Sequence, residues 1–178
     1  MKKVLVSMLL VSAAAVSMVG CGNKTETPNN NTNVEQNEQG NTSQESNNSR
    51  DLNVKGIMDG ILALDSIPMP MEINEEDAEA IYHLDLKNVE EFAISVCGRS
   101  PGVGLVVLVE AKEGQVDSVK ESVEAILADE VANAFYPDEQ EAAENAKVEV
   151  NGNLVSLMIL YDDVQEEVQE YFNSQIRQ

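Results

Sequence analysis

Residues 51–178 of this chain predict an α+β domain: a four-stranded, mainly antiparallel sheet packed with helices, in the order α-α-β-β-α-β-β-α. Three observations carry the prediction. Apolar residues alternate along the chain between helical spacing and strand-like runs. Residues 103–111 and 154–160 are apolar on both faces, as central strands covered on each side must be. Asn151-Gly152, a tight-hairpin dipeptide, separates two such runs.

The elements follow in order. Residues 52–64 read as a first helix, with Val54, Ile57, Met58, Ile61 and Leu62 at helical spacing. Residues 67–73 must be extended, because Pro68 and Pro70 fix φ and push their predecessors out of the helical region. Met69 and Met71 of this strap are expected to press into the core. Asn74 is placed to cap a second helix over 75–84, whose acidic first turn suits the helix dipole. A further helical turn is expected near 86–91. Phe92, Ile94 and Val96 alternate with Ala93, Ser95 and Cys97 as a first strand, and the Gly98–Gly102 segment turns into a second strand over 103–111.

Gly114 introduces a long helix with Val116, Val119, Val123, Ile126, Leu127 and Val131 on one side, and Pro137 ends that region. Residues 147–150 and 154–160 form the Asn151-Gly152 hairpin. A final helix turns Val164, Val168, Tyr171 and Phe172 inward. If the two doubly apolar strands are neighbours, the spatial order is first, second, fourth, third. All pairs are then antiparallel, and a split βαβ crossover joins the second strand to the third.

Ahead of this domain the composition changes twice. Lys2 and Lys3 precede an apolar run from Val4 to Val19, too short for a comfortable bilayer span. It ends in Met18-Val19-Gly20-Cys21, which resembles the lipobox of bacterial lipoproteins, so residues 1–20 are expected to be a signal peptide cleaved before an acylated Cys21. Each buried methylene of an acyl chain adds about 0.8 kcal/mol of membrane affinity, so two or three chains anchor stably. Residues 22–50 hold nine Asn, four Thr and four Glu, with Val34 the only aliphatic residue. Such a stretch cannot bury enough apolar surface to offset its ordering entropy. Residues 21–50 are therefore expected to be a lipidated cysteine and a disordered polar tether, with a reach on the order of 30 Å. The expected location is the cell membrane, lipid-anchored and facing away from the cytoplasm.

Charge and rare residues narrow the function classes. Acids outnumber bases 32 to 11, for a formal charge of −21. Nucleic acid is excluded as an expected partner, because its recognition needs clustered Lys and Arg to displace phosphate counterions. Two cysteines and one histidine leave little for a zinc site. With Cys21 acylated, Cys97 is the only other thiol, and it lies in an apolar run where free cysteine behaves as a small hydrophobe. His83 has no nucleophile beside it in sequence. Met69, Met71 and His83 are soft donors of the kind that bind Cu(I), yet core packing explains the two methionines equally well. Gly98, Gly102 and Gly104 join two strands, whereas a phosphate loop opens a helix after one. Acid clusters at Glu72/Glu75/Glu76/Asp77/Glu79, Asp138/Glu139/Glu141/Glu144 and Asp162/Asp163/Glu166/Glu167/Glu170 lack the spacing of an EF-hand loop. They read as solvated helix faces, with weak Ca²⁺ association as the alternative.

Five segments, taken in order, point to a family. Ile67-Pro-Met-Pro-Met, Ala80-Ile-Tyr-His-Leu-Asp, Phe135-Tyr-Pro-Asp-Glu-Gln and Asn145-Ala-Lys-Val with Asn151-Gly-Asn resemble the uncharacterised bacterial lipoprotein family known as domain-of-unknown-function family 4358. The resemblance covers about residues 54–172. It implies a small lipid-anchored protein with a short α+β domain, and it implies no activity and no catalytic residues. The glycine-rich 98–104 turn departs from the family pattern, which calls for a longer stretch around the first hairpin. Taken together, the residues lead to an expectation of a membrane-anchored extracytoplasmic binding or scaffolding module for an envelope partner. It is expected to be no enzyme and to need no cofactor or metal; weak divalent-cation binding is the alternative.

Overall fold

A computed structural model describes residues 53–177, and Asn53 starts the first element there. Its Oδ1 accepts the Gly56 amide at 2.8 Å and caps α1 (Val54–Leu62), which buries Val54, Ile57, Met58 and Ile61 as one stripe. Past two prolines the chain forms a three-residue strand, β1 (Pro70–Glu72). Asn74 Oδ1 accepts the Asp77 amide at 3.0 Å and caps α2 (Glu75–Ala80). This helix stops four residues before the expected end, and His83 just beyond it has a φ of 54°, in the left-handed region where a right-handed helix cannot continue. A 3-10 turn (Leu86–Asn88) leads into β2 (Val89–Cys97), and the 98–104 turn into β3 (Leu105–Ala111). Then come α3 (Val116–Asn133), α4 (Pro137–Asn145), β4 (Val148–Asn151), β5 (Leu154–Ile159) and α5 (Asp162–Ile176).

The sheet has five strands, not the four expected, in the order β1-β2-β3-β5-β4. The four expected strands hold their expected relative order, and every pair is antiparallel. The extra strand is the proline strap: Met71 pairs with Val96 and Glu72 with Ser95. A strand of three residues is too short to show alternation, and a proline is tolerated there because β1 is an edge. The strap also leaves Met69 67 % and Met71 53 % exposed, so neither presses into the core as expected. The helix count changes at Pro137 as well. This proline does not merely end α3; it is the first residue of α4, where its missing N–H would have had no partner in any case.

The doubly apolar strands β3 and β5 are buried along nearly their whole length because helices cover both faces. On one face Val107, Val109, Val155 and Leu157 pack with Val119, Val123 and Ile126 of α3 and with Ala142 and Ala143 of α4. On the other, Val106, Leu108, Leu154 and Met158 pack with α1 and with Val168 and Phe172 of α5. Gly152, at φ 63°, makes the tight turn between β4 and β5 that Asn-Gly predicts. No helix among the described residues is long and apolar enough to cross a membrane. The expected leader 1–20, Cys21 and the tether through residue 50 lie outside the described residues.

Candidate binding site at the β2–β3 turn

Four segments meet where β2 turns into β3. The Gly98 amide donates to Met69 O at 3.0 Å, tying the turn to the edge strap. The Gly102 amide donates to Glu139 Oε1 at 3.2 Å, and the Val103 amide to Tyr161 Oη at 3.3 Å. Tyr161 Oη in turn donates to Asp138 Oδ2 at 3.4 Å. The other oxygen of Glu139 accepts the amides of Phe135 and Tyr136, each at 3.3 Å. One carboxylate thus fastens the turn to the α3–α4 connection. Glu139 can do so because Pro137 starts the helix and places a glutamate at its third position, reaching back to the otherwise unpaired amides.

A cleft of about 190 Å³ opens between these segments, lined by Cys97, Gly102, Glu130, Asn133 and Glu139 among others. Glu130 continues the apolar stripe of α3, four residues after Ile126 and seven after Val123, so its carboxylate lies half-buried on the sheet side of the helix. Burial holds its pKa above the ordinary carboxylate range, and the charges of Asp129 and Glu139 raise it further. Its place in the last turn, where the helix dipole is negative, acts in the same direction. Burial likewise raises the Tyr82 phenol, with help from the charges of Glu130 and Asp77.

Exposed apolar side chains lie on two of the segments that meet here. Phe135 is 80 % exposed, and its ring meets that of Tyr136 edge-on at a centroid distance of 5.2 Å. Met71 lies against Gly98, where a side chain on the glycine would collide with it. Phe135, Tyr136, Met69 and Met71 are thus exposed on two segments tied to this turn, the strap directly through Met69 O and the α3–α4 connection through Glu139, on an otherwise acidic domain.

The residues singled out from sequence are dispersed differently. Cys97 lines the cleft half-buried, its Sγ donating to Arg99 O at 3.6 Å. Arg99 and Ser100 are exposed at the turn, and so is His83. No group of three or more His, Cys, Asp or Glu among the described residues is placed to hold a metal ion. Each acid cluster begins a helix: Glu75, Glu76 and Asp77 start α2, Asp138 and Glu139 start α4, and Asp162 and Asp163 start α5. The fold brings two clusters together, since Asp138, Glu141, Asp162 and Asp163 line a depression of about 370 Å³ beside Tyr161. Sequence reasoning missed Glu130 and Phe135. The signal for Glu130 was a charge at a core-facing helical position.

The family described as Domain of unknown function (DUF4358) matches residues 63–160. The chain belongs to that family, whose matched stretch starts just after α1, runs through β5 and includes neither α1 nor α5. No curated protein and no solved structure matches the chain.

Proposed function

We propose that this protein is a non-enzymatic binding or scaffolding module, tethered outside the cytoplasm by an acylated Cys21, which docks an envelope protein at the β2–β3 turn. The observation that carries the reading is the exposure of Phe135, 80 %, beside Tyr136, with Met69 and Met71 exposed on the strap tied to the same turn. Exposed apolar groups that cluster, rimmed by charge, mark interaction surfaces. Aromatic residues and methionine are favoured at the centres of such surfaces. The acidic surroundings favour a partner with a basic rim around an apolar centre, and they disfavour an anionic bilayer as the docking surface.

A photo-crosslinking residue at position 135 of the full-length protein, irradiated in intact cells, tests this. One discrete adduct, abolished by Met71→Ser in the same chain, is the expected result. A smear of adducts unchanged by that substitution would remove the reading. Mass spectrometry of the same sample tests the anchor, since it requires acyl chains on Cys21.

A second reading, weak and diffuse divalent-cation association without a closed cage of ligands, rests on the carboxylates of Asp138, Glu141, Asp162 and Asp163 around one depression. Hard oxygen donors suit Ca²⁺, and a loosely gathered set suits millimolar affinity. Calorimetry with calcium decides it: no saturable heat in that range ends the reading.

A further inference from the structure

A second concavity lies on the opposite face of the sheet, beside the edge strand β4. It is a cleft of about 160 Å³ with Ser156 and Met158 of β5 in its floor, Lys147 and Glu149 at one side, and Gln165 and Gln169 of α5 at the other. Ser156 is the unexpected member. It stands between Leu154 and Met158 in the row of β5 that faces the apolar core, and it is only 2 % exposed. No hydrogen bond within the described residues engages its hydroxyl, which is not sealed in the core but opens into the cleft. A hydroxyl at this place on an otherwise apolar row of the strand offers the cleft floor one hydrogen-bonding group.

The groups around it are of both signs. Lys147 forms neither an ion pair nor a hydrogen bond with the described residues, although acids outnumber bases almost three to one. Across the strand pair, Glu149 is in register with Ser156, so the two side chains leave the same face of the sheet. Gln169 Nε2 donates to Glu149 Oε2 at 3.4 Å, while the Gln165 amide makes no such bond.

We propose that this cleft binds a small zwitterion of the α-amino-acid type. The Lys147 ammonium and the Gln165 amide receive its carboxylate, Glu149 receives its ammonium, and the Ser156 hydroxyl completes the hydrogen bonding from below. The volume suits a ligand of this size and is below that of sites for drug-sized molecules. Opposite charges on neighbouring walls select a molecule carrying both signs over one carrying either alone.

Calorimetry on the full-length protein in detergent, with glycine, L-alanine and L-serine as probes and acetate and ethylammonium as single-charge controls, tests the assignment. The expected result is saturable heat with at least one amino acid and none with either control at the same concentration. Lys147→Gln and Glu149→Gln, both at exposed positions, then weaken binding at least tenfold with an unchanged melting temperature. Ser156→Ala weakens binding while keeping or raising the melting temperature, because a purely structural serine would show no change in binding. No saturable heat with any of the three amino acids, equal binding of acetate, or undiminished binding by both charge variants would each overturn the proposal.

Discussion

The Glu139 carboxylate accepts the Gly102 amide at 3.2 Å across 37 residues of chain, while its second oxygen holds the amides of Phe135 and Tyr136. The β2–β3 turn and the connection that exposes the aromatic pair are thus fixed by one side chain. A helix-capping glutamate here also positions a surface.

Glu139→Ala leaves three amides to solvent and frees the turn from α4. The expected loss is about 1–2 kcal/mol, since bonds to a charged acceptor are stronger than neutral ones but this group is half exposed. Hydrogen exchange should report it locally, with faster exchange at Gly102, Phe135 and Tyr136 and little change in β3 or β5. Uniform acceleration across the sheet would contradict a local role.

Glu130 gives a pH dependence with a defined sign. Its pKa is raised in the fold, so folding favours the protonated form relative to the unfolded chain. Between the ordinary carboxylate range and the raised value, the folded state binds more protons, and stability from this group falls as pH rises. Above that window its contribution is flat. Glu130→Gln should raise the melting temperature by roughly 1–3 °C at pH 7. Below the ordinary carboxylate range the two proteins should converge. An equal offset at every pH would point to packing instead of charge.

The helices and central strands were legible because their signals are local. Asn74 caps where a cap was expected, and Asn151-Gly152 turns as its chemistry demands. The order of four strands followed from β3 and β5 being apolar on both faces, a pattern that only helices on each side permit. The fifth strand was not legible, because what makes Pro70–Glu72 a strand is the edge of β2, a partner more than twenty residues away. The same holds for the sites. Met69 and Met71 read as core from composition, and only the edge position turns them outward. Ser156 is indistinguishable in sequence from any serine in a strand, and the cleft above it is made by α5.

Phe135→Ser separates surface from stability. A side chain 80 % exposed contributes little to the fold, so the melting temperature should change by no more than that of a typical surface substitution, about 0.5 kcal/mol in stability. Crosslinking through a photoreactive group at position 71 to the envelope partner should nevertheless be lost. A large drop in stability would instead show that Phe135 belongs to the core.

The last prediction concerns the part of the domain beyond the family stretch. Gly60 of α1 lies directly beneath Tyr171 of α5, where a Cβ would collide with the phenol ring and hydroxyl. Alanine is normally the better helix residue by about 1 kcal/mol. Gly60→Ala should nevertheless destabilise the protein, by about 1–3 kcal/mol, because a rigid ring must be displaced from a packed layer. Tyr171→Leu in the same chain should recover much of the loss, and a double-mutant cycle by urea denaturation measures the coupling. Both residues lie outside 63–160, as do Val54, Ile57, Met58, Ile61, Val168 and Phe172, which cover one whole face of the sheet. A fragment of residues 63–160 alone would expose Val106, Leu108, Leu154 and Met158 to water. It should therefore lack a cooperative thermal transition by circular dichroism, whereas residues 53–177 should melt in one step. A cooperative transition in the shorter fragment would show that α1 and α5 are accessories to the fold and not one of its two covering layers.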